Sequence, residues 1–182
     1  MENIIGYHCA PALAGIKPSN IVPCYKNSGY DIKKEIARLN SELNCKDIYF
    51  EAVCECEKRI LLMVYRKKVL KKILDNSEVK SFLKSLGYPE APDTDTYIKF
   101  LKERLTNTEF PHEIGVFLGY PMHDVYGFMY HKDEGCLFCG EWKVYKNVDE
   151  AKKLFNRFAA CRKAVLKRIL RGHTLAQVFC AA

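Results

Sequence analysis

At 182 residues the chain has a size that one hydrophobic core can serve, and with 48% of its residues apolar it predicts a single domain over 1–182. The longest apolar runs, Ile60 to Tyr65 and Ile114 to Tyr120, fall far short of the roughly 20 residues a membrane-spanning helix needs, and the start Met1-Glu2-Asn3-Ile4-Ile5-Gly6 lacks the basic and apolar stretches of a secretory signal, so a cytoplasmic protein without a membrane partner is expected. The net charge of +7 comes mainly from Lys58 to Lys72 and Lys152 to Arg171, but no aromatic-rich RNA motif or zinc-finger helix accompanies it, and nucleic acid is not the expected partner.

Asp31 to Leu43 carries Ile32, Ile36, Leu39 and Leu43 at helical spacing, with Asp31 placed as an N-cap. Ile48 to Cys54 and Arg59 to Arg66 read as two strands joined by the charged turn Glu55-Cys56-Glu57-Lys58 into a hairpin. Lys67 to Leu105 has a helical texture, with segments ending near Asp75 and Leu86 and a restart after Pro92 capped by Asp93 or Thr94. The stretch Tyr88-Pro89-Glu90-Ala91-Pro92 is read as a connection between helices. Glu113 to Tyr120 has the β-branched and aromatic content of a buried strand, and Pro121 closes it before a short helix from Met122 to about Tyr130. Leu137 to Tyr145 predicts another strand. A long helix follows, with Val148, Ala151, Phe155, Phe158, Val165 and Ile169 on one face and Gly172 at its end. The fold class that results is α+β: a small antiparallel or mixed sheet packed against several helices, with a long C-terminal helix.

Three phrases carry a resemblance: His8-Cys9-Ala10-Pro11-Ala12-Leu13-Ala14-Gly15-Ile16-Lys17, Pro111 to Pro121, and Cys136-Leu137-Phe138-Cys139-Gly140-Glu141-Trp142-Lys143-Val144-Tyr145. Together they resemble an uncharacterised bacterial family, a domain of unknown function found mostly in clostridia-like anaerobes. That resemblance runs over nearly the full chain and implies a cytoplasmic, anaerobic setting with a redox or iron-limitation context. The nine cysteines are an odd number and several sit in apolar patterns, so reduced thiols are expected.

Three groups of residues could carry chemistry. Pro11 suits a first helical turn, which puts Cys9 at or beside an N-cap, where unpaired N–H groups favour a thiolate. With His112 as general base and Asp124 as orienting carboxylate, the chain order resembles that of papain-like enzymes and double-glycine peptidases, and implies a thiol-dependent hydrolase or transferase acting on a small-molecule or protein substrate. The competing reading of Cys9 is a small buried apolar residue.

The second group is Cys136 and Cys139, whose spacing lets two sulfurs converge on one zinc or iron ion or an iron–sulfur cluster, with Gly140 relieving crowding and Cys54 and Cys56 supplying a second pair, or lets the two thiols serve a redox accessory protein. The third is a basic interaction surface made by Arg66-Lys67-Lys68, Lys71-Lys72 and the polar face of the last helix. A solvated face and packed sulfurs are the plainer accounts of these two.

Overall fold

The computed structural model describes residues 1–90, 93–107 and 109–180. In chain order the elements are α1 (Glu2–His8), α2 (Ala10–Leu13), β1 (Ser19–Tyr25), α3 (Ile32–Leu43), β2 (Tyr49–Glu55), β3 (Arg59–Tyr65), α4 (Lys67–Leu74), α5 (Ser77–Ser85), α6 (Thr94–Leu105), α7 (Ile114–Phe117), α8 (Met122–His131), β4 (Phe138–Cys139), β5 (Lys143–Val144), α9 (Val148–Ile169) and α10 (Leu175–Phe179). Short polar side chains start α3, α5 and α6 by accepting otherwise unpaired backbone N–H groups. Asp31 accepts from Lys34 N at 3.1 Å, Asn76 from Glu78 N at 2.9 Å, and Asp93 from Thr96 N at 2.8 Å. Ala91 and Pro92, in the connection expected before α6, lie outside the described residues.

The fold is α+β. Its main sheet is antiparallel with strand order β1-β3-β2, so the expected hairpin of β2 and β3 is present and β3 is central. Alternation along β3 sends Ile60, Leu62 and Val64 to one face and Met63 and Tyr65 to the other, and helices cover both. On the first face, Ile5 of α1, Leu13 of α2, Leu39 and Leu43 of α3, Val165 and Ile169 of α9, and Leu175 of α10 close over the strand. On the second face the covering residues come from α4 to α8, among them Leu70, Phe82, Leu101, Phe117 and Val125. A third cluster joins Trp142 and Val144 of the β4–β5 hairpin to Ala151 and Phe158 of α9.

β1 was not visible in the sequence because Pro23 interrupts its apolar run. Its place at the sheet edge explains the tolerance, since an edge strand need not donate every N–H to a neighbour.

Two expectations are corrected. Glu113 to Tyr120 is no strand: it forms the single helical turn α7 and ends in a Schellman motif, in which Tyr120 N donates to Gly115 O and Gly119 N to Val116 O, both at 2.9 Å. Gly119 has φ +74°, and a Cβ there would stand 2.5 Å from Pro18, so only glycine fits. Glu113, at the start of the turn, is buried and accepts from Tyr88 Oη at 3.1 Å and from Arg104 Nε. Leu137 to Tyr145 is likewise not one strand. It is the hairpin of β4 and β5, with Phe138 opposite Val144 and Cys139 opposite Lys143.

Because Leu62 is fully enclosed on the central strand, Leu62→Ala should lower stability by about 3 kcal/mol in urea-induced unfolding. A loss below about 1 kcal/mol would mean that the first face collapses readily around the deletion.

Candidate functional site

Beside the β1 edge, the second face of the sheet and the α7–α8 corner leave a cavity of about 420 Å³, open to solvent and closed on one side by the β4–β5 hairpin. Its wall is largely apolar: Ile21 of β1, Leu61 of β3, Ile114 and Leu118 around α7, and Val125 and Phe128 of α8. Tyr120 and Trp142 line it as a stacked pair, with ring centroids 4.6 Å apart at 27°. Arg59, His112, Asp124 and Lys143 supply polar atoms.

The hairpin is held in place by Asp124. This carboxylate is 3% exposed and accepts from Trp142 Nε1 and from Tyr145 N, each at 2.8 Å, with His123 Nε2 3.5 Å away. Both oxygens are therefore committed to joining α8 to the hairpin. The bonds fix the Trp142 ring against the cavity, where its other edge packs at 88° on Phe155. Gly140, which follows Cys139, is small for a packing reason: a Cβ would lie 2.3 Å from the Phe155 ring.

Behind the Tyr120 ring lies Lys17, 4% exposed, its Nζ 5.1 Å from the Tyr120 centroid and 5.8 Å from that of Phe158. Burial pushes its amine down to about 8, with Glu141 opposing part of the fall. The two rings stabilise the ammonium through their faces but do not replace its water shell.

The structure separates Cys9 from the other two residues expected to form a thiol site. Cys9 is the N-cap of α2, as expected, but it is 0% exposed within the cluster on the first face of the sheet. Burial raises its thiol far above the ordinary value and Cys24 adds to this; Lys17 and Arg162 counteract only in part. A four-residue helix offers too little dipole to reverse such desolvation.

His112 is exposed at the cavity on the other face, its ring edge-on to Phe128 at 5.0 Å. His112 and Asp124 line the same cavity, while Cys9 does not. The exposed thiol with a lowered pKa is instead Cys56 in the β2–β3 turn, held down by the backbone N–H groups of Lys58 and Arg59.

Nor do the expected metal ligands converge. Among the described residues no three or more His, Cys, Asp or Glu side chains stand close enough to hold a metal ion. Cys54 donates to Leu105 O at 3.6 Å and Cys136 to Phe138 O at 3.4 Å, while Cys56 and Cys139 are exposed. Much of the expected basic surface is used internally: Lys67 pairs with Asp95, Lys71 with Asp75, and Arg66 donates to Lys46 O and Leu13 O.

The cavity went unnoticed in the sequence because its walls come from five separate stretches. Trp142, the single tryptophan of the chain, was its one local signal.

An α+β protein with an apolar side cavity is thus the class that fold and site define. The family described as "Protein of unknown function (DUF3793)" matches residues 5–179, and the chain belongs to that family. No curated protein and no solved structure matches it. No helix among the described residues is long and apolar enough to cross a membrane.

Two measurements check this description. Iodoacetamide at neutral pH should modify Cys56 at least about tenfold faster than Cys9, with Cys9 labelling only after unfolding; comparable rates in the folded protein would contradict the enclosure of Cys9. Lys17→Met should raise stability by about 1–3 kcal/mol at pH 7. The sign follows from the amine falling from its ordinary 10.5 to about 8 on folding: between those values the unfolded chain binds more protons, so wild-type stability rises with pH there. The advantage of the variant should therefore be full below about pH 8 and fade by about pH 10.5, as read from urea midpoints of both proteins.

Proposed function

We infer that this protein binds a small, mostly apolar molecule with an anionic end. The observation that carries the reading is the cavity of about 420 Å³, apolar along its walls, with Arg59, His112 and Lys143 among its polar groups. That volume falls within the range of small-molecule sites, and such sites combine apolar walls with a few polar groups that orient the ligand.

The charge is directional. Among the described residues the Arg59 guanidinium has no hydrogen-bond or ion-pair partner, so an incoming carboxylate need not displace one. Lys143 pairs with Asp133 and lies 5.3 Å over the Phe128 ring, adding positive potential on the same side. Asp124 also lines the cavity, but both its oxygens accept hydrogen bonds from the hairpin, so the carboxylate is turned to Trp142 Nε1 and Tyr145 N.

A thiol-dependent hydrolase or transferase built on Cys9, His112 and Asp124 rests on chain order alone, since a nucleophile must reach both its base and its substrate. A zinc or iron accessory role for Cys136 and Cys139 rests on their spacing alone.

Octanoate and octanol, titrated separately while Trp142 emission is followed, separate the two parts of this reading. Octanoate should shift the emission and bind more tightly than octanol. Arg59→Ala should weaken octanoate about tenfold with little effect on octanol, and Ile21→Phe, which fills the cavity, should abolish both responses. If neither compound changes the emission or produces calorimetric heat at millimolar concentration, the site is not a ligand site of this class.

A further inference from the structure

The end of the fold brings together two sulfurs that the ligand cavity does not involve. Cys45 sits in the 3-10 turn Asn44–Lys46 that finishes α3, and its thiol donates to Glu42 O at 3.5 Å. Cys180 is the C-cap of α10, and its thiol donates to that same oxygen at 3.6 Å, across 138 residues of sequence. The two thiols also stand within hydrogen-bonding reach of each other. Two donors aimed at one carbonyl oxygen hold their sulfurs side by side, so rotation about each Cα–Cβ bond can exchange two weak S–H···O contacts for a sulfur–sulfur bond.

The approach is built into the fold, because α10 is fixed at several points. Thr174 and Gln177 form a reciprocal capping box, a Glu2 carboxylate oxygen accepts from Leu175 N at 2.5 Å, and Arg168 donates to Val178 O at 3.3 Å. Leu175 is fully buried beneath the helix. Cys45 is exposed and Cys180 half-buried, so a small reagent can reach the pair. Of the other sulfurs in the cluster that Cys180 packs against, Cys9 and Cys24 are enclosed and Cys161 is partly buried.

We propose that Cys45 and Cys180 form a reversible dithiol–disulfide site that is oxidised by exchange with a low-molecular-weight disulfide. The Cys45 thiolate attacks one sulfur of the small disulfide, making a mixed disulfide and releasing one small thiolate. Cys180 then loses its proton and attacks the Cys45 sulfur, forming the intramolecular bond and releasing the second thiolate. The two protons given up by the protein thiols go to the two released thiolates; the protein loses two electrons and the small disulfide gains them. Cys45 is the entry point because it is exposed, whereas burial and the adjacent Cys45 keep the proton on Cys180 until the mixed disulfide forms. The new bond ties the end of α3 to the end of α10 and closes a loop spanning most of the chain, which restricts the unfolded state.

The test equilibrates the purified full chain with mixtures of oxidised and reduced glutathione, traps free thiols by alkylation and maps the peptides by mass. The expected product is a Cys45–Cys180 link within one chain, with the oxidised protein melting about 5 °C or more above the reduced one. Cys180→Ser should accumulate glutathione on Cys45, and Cys45→Ser should leave Cys180 largely unmodified. Both exchanges are at sites outside the core, and circular dichroism of each variant checks that the fold is kept. A stable glutathione adduct on Cys45 of the wild type, a link between different cysteines, or a link between two chains would each overturn the proposal.

Discussion

From Ile60 to Tyr65, strand β3 is covered by helices on both faces, apart from Leu61 at the cavity. Ile60, Leu62 and Val64 meet α1, α3 and α9, while Met63 and Tyr65 meet the helices that follow. A strand enclosed in this way must put an apolar residue at nearly every position, and its two neighbours can pair with it only in the register that matches both faces. The sheet consequently acts as a partition. Cys9 falls on one side, in an apolar cluster, and His112 on the other, at the rim of the cavity.

What lies on the second side depends on a smaller constraint. A hairpin of two-residue strands has too few ladder bonds to stand alone in water. The β4–β5 hairpin is instead hung from α8 by the Asp124 carboxylate and backed by Phe155 and Phe158 of α9. The backing explains why Gly127 and Gly140 are glycines: a Cβ on the first would lie 2.3 Å from the Tyr145 ring, and on the second equally near Phe155. The hairpin cannot settle onto the β1 edge while Tyr120 and Trp142 occupy the space between, and the cavity is the room that remains.

The parts legible in the sequence were those in which local preference and tertiary placement agree. Asp31 and Asp93 accept backbone N–H groups at helix starts, the β2–β3 hairpin alternates around a charged turn, and α9 shows its apolar stripe for six turns. The misreadings arose where composition and punctuation conflict. In Ile114-Gly115-Val116-Phe117 the β-branched residues speak for a strand, but Gly119 and Pro121 form a helix-ending signal, and burial of Glu113 against Tyr88 and Arg104 fixes the turn. The N-cap position of Cys9 was legible, whereas the desolvation that raises its thiol depends on residues far away in the chain. The cavity has the same character, since no one of its five stretches is unusual without the others.

Glu2 closes the molecule in another sense. One oxygen of its carboxylate meets the Arg38 guanidinium at 2.6 Å and the other meets Leu175 N, so the first and last described helices are neighbours through a single side chain. Arg38 also binds Glu35 and Glu42, which anchors this junction to α3. Positions near 1 and 180 can therefore be joined by a short flexible bridge and the chain reopened at the exposed Glu57-Lys58 bend, giving a circularly permuted protein. Such a permutant would begin with the central strand and acquire its edge partners afterwards, yet every burial relationship would be unchanged: the architecture is defined by which surfaces meet, and the order of synthesis is incidental to it.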